Sequence, residues 1–122
     1  KRSQCTKWLK IQRPPNTLVI HLKRFGNSRR KKSTKISFPV TGLNLFPFLN
    51  KDQERSERSR KSKKSLYDLY AICPTFVLFR SCLDKATKQW YRYDDSHLSK
   101  LHCVSELSPC DSPYMLINRI RE

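Results

Sequence analysis

Two carboxylates, a hydroxyl and an imidazole stand in a row at Asp94-Asp95-Ser96-His97, in a chain that also carries five cysteines and two further histidines. A thiol, an imidazole that takes and returns its proton, and an acid that fixes the imidazole tautomer are the parts of nucleophilic acyl chemistry. All three must converge in space. By residue type alone, Asp-Asp-Ser is also ordinary turn chemistry at the end of a strand.

The cysteines, Cys5, Cys73, Cys82, Cys103 and Cys110, form an odd set with no two at C-x-x-C spacing. Neither a disulfide framework nor a zinc knuckle is encoded, so they read as reduced, structural thiols and no metal or cofactor is expected. His21 lies within an apolar strand and reads as structural. His97 and His102 follow the acid pair on what reads as a solvated turn or short helix.

The elements that must position these groups are mostly strands. Residues 1–13 suit a short strand, which Pro14-Pro15-Asn16 ends. Residues 17–25, TLVIHLKRF, place Leu18, Ile20 and Leu22 on one face and Val19, His21 and Lys23 on the other. A turn at Gly26-Asn27-Ser28 and a basic arm lead into residues 36–40, ISFPV, which read as a short edge strand stopped by Pro39. Leu43, Leu45, Phe46, Phe48 and Leu49 form an apolar cluster in a short helical or irregular turn.

Residues 51–64 contain no apolar side chain and read as a basic flexible loop. Beyond them, LYDLYAIC alternates as a strand, residues 75–79 form a short apolar run, and residues 84–88 turn into a strand at 89–93. Leu98 and Leu101 stand at helical spacing, and residues 114–120 give a last strand. The expected architecture is α+β and mainly β: five or six short antiparallel strands with little helix, in one domain over residues 1–122.

The formal net charge of +16 is unevenly placed: residues 1–64 carry 19 Lys or Arg against 3 acids, residues 65–122 carry 7 against 7. The runs Arg29-Arg30-Lys31-Lys32 and Arg60-Lys61-Ser62-Lys63-Lys64 could neutralise phosphates or act as a nuclear-localisation signal. No aromatic is interleaved with either run, so a nucleic-acid partner is not expected. No apolar stretch is long enough to span a membrane and no cleavable leader is visible, which together lead us to expect an intracellular, cytoplasmic or nuclear location.

Several phrases occur in one order: a Cys-x-Lys-x-x-x-Ile-Gln-Arg lead over residues 5–13, LVIHLKRF, ISFPVTGLNL, YDLYAI, WYRYDDS over residues 90–96, and SPYMLINRIRE over residues 112–122. Together they resemble the C-terminal half of the ubiquitin-specific proteases, which are cysteine-type deubiquitinases. The resemblance implies part of a papain-like, hand-shaped domain that grips ubiquitin, here the palm and the end of the fingers. The thumb, with its nucleophilic cysteine, is expected to lie upstream.

Within the W-x-x-[FY]-[DN]-D-S phrase of that family, the triad acid falls on Asp94 and its assisting neighbour on Asp95. The family's histidine comes from Gly-bordered phrases between the YDLYA strand and the tryptophan. In this chain that interval, residues 72–89, contains neither His nor Gly. The nucleophile phrase has no counterpart, and Cys5 lacks the paired cysteines of a finger zinc site. The chain is therefore expected to be a fragment or degenerate member, inactive by itself.

Residues 51–64 stand where relatives carry a blocking loop, or form a variable solvated insertion. Ubiquitin is the implied partner, with contact weak or lost, since a basic surface opposes its cationic tail. The alternative is a non-catalytic scaffold that binds ubiquitin or a protein covering the exposed half-domain.

Overall fold

The computed structural model describes residues 3–24, 32, 34–50, 65–74, 79–107 and 113–121. The basic segment 51–64 and the interval 75–78 lie outside the described residues. Among the described residues seven strands form one sheet: β1 (Thr17–His21), β2 (Leu43–Asn44), β3 (Leu66–Pro74), β4 (Phe79–Leu83), β5 (Trp90–Asp94), β6 (His97–Lys100) and β7 (Pro113–Ile120). Their order is β1-β7-β3-β4-β5-β6, with β2 paired to the start of β3, and every ladder is antiparallel.

One face of the sheet holds the core. Leu69 and Ile72 of β3, Trp90 of β5 and Leu116 of β7 pack with Leu101 and Leu107, and Ile20, Phe38, Val40 and Leu83 close the cluster. A register shift between Leu69 and Ala71 leaves Tyr70 as an extra residue, so that Leu69 and Ile72 both meet the core although they are three apart. That bulge breaks the alternation of LYDLYAIC and sends Tyr70 to the outer face.

Three elements differ from the sequence expectation. Residues 3–10 form no strand, and Ile11 makes a single bridge to Leu49. Residues 36–40 form no strand, because Pro39 lacks a donor and, among the described residues, β3 makes one backbone bond to this stretch, Leu69 N–H to the Val40 carbonyl at 2.8 Å. The stretch still contributes Phe38 and Val40 to the core.

The third difference is at residues 97–104. Leu98 and Leu101 suggest a helix by their spacing, yet residues 97–100 are strand β6, which places Leu98 on the outer face at 60% exposure and Leu101 in the core at 4%. A two-residue turn, Asp95-Ser96, with Asp95 in the left-handed region at φ 46°, folds β6 straight back along β5. Helical continuation is closed to it. A 3-10 turn follows at Val104–Leu107, and another at Phe46–Phe48 lies where a short helical turn is expected.

Arg24 ends the segment that follows β1. It is 2% exposed, and its guanidinium donates to the carbonyls of Pro113 at 2.8 Å and of Lys32 and Thr34 at 2.9 Å each. The fork of donors thus ties the backbone at Lys32 and Thr34 to the start of β7.

Candidate active site

Strand β5 sorts its side chains by alternation. Trp90 and Arg92 point to the core side, where Trp90 is buried and the Arg92 guanidinium donates to the Glu106 carbonyl at 3.0 Å. Tyr91 and Tyr93 point outward. Asp94 ends the strand on the side of Trp90 and Arg92, and is exposed.

In the ladder Asp94 is opposed by Phe79 of β4 on one side and by His97 of β6 on the other. The His97 ring Nδ1 lies 3.3 Å from Ser96 Oγ. Among the described residues the carboxylates of Asp94 and Asp95 make no hydrogen bond. Asp95 tolerates its positive φ because its short polar side chain suits the left-handed region. Its role in the structure is to make the turn that brings β6 back.

The thiols do not join this group. Cys82 is opposed by Ala71 and Tyr91, and Cys73 lies two residues beyond Ala71 on the same side of β3. Both therefore belong to the outer face, opposite to Asp94. Burial pushes the Cys82 thiol up from its ordinary pKa, the neighbouring Cys73 adds to the rise, and Arg80 offsets part of it. A thiol held protonated is a poor nucleophile. Cys5 and Cys103 are exposed, and Cys110 lies outside the described residues.

His21 packs edge-on against Tyr114, with ring centroids 4.4 Å apart, and His102 is exposed beside Glu106, whose carboxylate accepts its backbone N–H. Neither imidazole stands opposite Asp94. Among the described residues no three His, Cys, Asp or Glu side chains cluster as metal ligands would.

Sequence order hides one further surface. The outer face gathers Tyr70, Tyr91 and Tyr93 with Arg80, Lys85, Lys100 and Arg119, drawn from β3, the β4–β5 hairpin, β6 and β7. The alternation in WYRYD hints at an aromatic outer stripe; the strand partners that add the cations become visible only through the register.

The order of the phrases and the fold agree with what the chain is similar to. The family model for ubiquitin carboxyl-terminal hydrolase matches residues 2–117. Two curated relatives from Arabidopsis thaliana are ubiquitin carboxyl-terminal hydrolase 5, 35% identical over 84% of this chain, and ubiquitin carboxyl-terminal hydrolase 9, 30% identical over 97% of it. The chain spans 11% and 13% of their lengths. Ubp8 in a structure of the SAGA Ubp8/Sgf11/Sus1/Sgf73 DUB module superposes with a TM-score of 0.70 and 25% identity over all of this chain and 28% of the matched one. Ordered phrases, an antiparallel palm-like sheet and a family match over nearly its whole length lead to one conclusion: the chain belongs to the ubiquitin carboxyl-terminal hydrolase family and carries part of its ubiquitin-specific-protease domain.

Proposed function

We propose that this chain supplies a palm segment of a ubiquitin-specific protease in which Asp94 keeps the position of the triad acid but no hydrolysis occurs within the chain itself. The observation that carries this reading is the placement of groups around Asp94. Its opposed imidazole lies against Ser96, both described palm thiols project from the other face, and residues 72–89 hold neither His nor Gly. An acid without a thiolate and a base can orient an imidazole and do nothing more.

The chain is then a binding surface before it is a catalyst, with ubiquitin or a protein covering the half-domain as its partner. Turnover of a fluorogenic ubiquitin conjugate by the purified chain should equal the rate without protein, and Asp94→Asn should leave it there. Turnover that Asp94→Asn abolishes would refute the proposal. Cleavage restored by adding a thumb segment from a relative would show that the chain still holds a usable base. A titration of isotope-labelled ubiquitin should give small, saturable shifts; none at high concentration would remove ubiquitin as partner.

A further inference from the structure

Two hollows on the outer face of the sheet meet. The larger, about 740 Å3, lies at the end of the sheet far from Asp94 and is bordered by Lys85, Lys88, Arg119 and Arg121. The smaller, about 510 Å3, shares Tyr70, Leu83, Lys85 and Arg119 with it and continues to Tyr91, Tyr93 and Leu98. The result is one groove across β7, β3, β4, β5 and β6. With neighbouring strands about 4.8 Å apart, those five strands span roughly 19 Å.

Each tyrosine of the groove has a cation beside it. The Arg119 guanidinium lies 4.1 Å over the Tyr70 ring, Arg80 stands opposite Tyr93 in the β4–β5 ladder, and Lys100 stands opposite Tyr91 in the β5–β6 ladder. Directly opposed residues share a face. Tyr93 is 47% exposed, so part of its ring is open to a ligand.

The acids nearby are occupied. Asp68 takes Arg121 Nε at 3.0 Å and the Gly42 N–H at 2.9 Å. Asp84 accepts from Thr87 Oγ1 at 2.6 Å and from the Ala86 N–H at 3.2 Å within its own turn. Neither Lys85 nor Arg119 is ion-paired among the described residues.

The geometry points to a single-stranded nucleic acid as the occupant of this groove, with bases stacked on Tyr91, Tyr93 and the Arg119 guanidinium that lies over Tyr70, and phosphates held by Arg80, Lys85 and Lys100. Sheet surfaces that display spaced aromatics stack two or three unpaired bases, and flanking cations track the backbone. A duplex keeps its base faces covered and would leave the tyrosines idle. An acidic peptide would use the cations but has no planar groups for the two rings and the guanidinium. The inference does not depend on whether the chain contributes to hydrolysis.

The test is fluorescence anisotropy of the full chain with a labelled oligouridylate of about eight nucleotides, a length within the usual site sizes. Tyr91→Leu with Tyr93→Leu should weaken binding about tenfold, the loss expected when stacking is removed but apolar bulk is kept. Arg80→Gln with Lys100→Gln should lower the slope of log affinity against log salt by about 1.4, roughly 0.7 for each phosphate contact on a single strand. Replacing Arg29-Arg30-Lys31-Lys32 by glutamines controls for attraction to the basic arm, and the tyrosine effect should persist in that background. Unchanged affinity of the tyrosine variant would overturn the proposal in favour of simple charge attraction. Equal competition by polyglutamate would assign the groove to acidic peptides, and tighter binding of a duplex would also overturn it.

Discussion

Asp94 stands directly opposite His97 across the Asp95-Ser96 turn, while the imidazole Nδ1 lies 3.3 Å from Ser96 Oγ. An acid and an imidazole are therefore neighbours in the ladder, but the palm thiols Cys73 and Cys82 are on the other face. His97→Ala is expected to leave cleavage of a fluorogenic ubiquitin conjugate at the uncatalysed rate. A rate above background that falls in this variant would make His97 a working base.

Arg24 should be the most sensitive polar position. Its guanidinium is buried against three carbonyls, and Arg24→Met would leave them without that donor. A loss of about 2–4 kcal/mol in urea denaturation is expected, since stranded buried acceptors cost their full desolvation. Arg24→Lys should recover little, because one ammonium cannot match a planar fork.

The Asp68–Arg121 pair makes stability depend on acid pH. The Arg121 hydrogen bond, with the Gly42 N–H and nearby Lys88, holds the Asp68 carboxyl below its ordinary range against the opposing effect of burial. A depressed pKa in the folded state gives stability that is present above the unfolded value and lost as pH falls through the folded one. Because both side chains are partly exposed, solvent screens the pair, and Asp68→Asn should lower Tm at neutral pH by roughly 2–5 °C. The difference from the parent should shrink as pH falls below the ordinary carboxylate range and vanish once the native carboxyl also protonates.

Cys82 should alkylate slowly. Burial and the adjacent Cys73 raise its thiol pKa, whereas Cys5 and Cys103 are exposed. At neutral pH, mass-resolved iodoacetamide labelling should reach Cys5 and Cys103 well before Cys82, by about tenfold or more in rate. Labelling of Cys82 as fast as Cys5 would contradict the structural reading of this thiol.

The strands most visible in sequence are those whose apolar residues alternate over a long run. Thr17–His21, Leu66–Pro74, Trp90–Asp94 and Pro113–Ile120 all lie where β-branched and aromatic residues indicate them. Residues 97–100 escaped because two leucines three apart look alike on a helix face and on the two sides of a strand. What separates the cases is the left-handed backbone of Asp95, a turn signal that Asp-Asp-Ser carries but that does not by itself say whether a strand or a helix follows. Residues 36–40 misled for another reason: apolar content placed Phe38 and Val40 in the core without giving them a ladder.

The phrase WYRYDDS shows in sequence where β5 ends at Asp94, and what surrounds that residue is not legible in it. Which residues oppose it depends on pairings between strands distant in sequence, and those also decide that Cys82 faces away. The outer groove is the extreme case. Its tyrosines and cations come from residues 70–119 and meet only after four ladders have formed.

Strand β7 lies between β1 and β3 and, among the described residues, makes the one ladder in which β1 takes part. The ladder at residues 17–21 therefore joins segments far apart in sequence and cannot form until residues 113–120 have been synthesised. A protease cut just before Pro113 would therefore detach β1 from the described sheet as surely as it detaches β7.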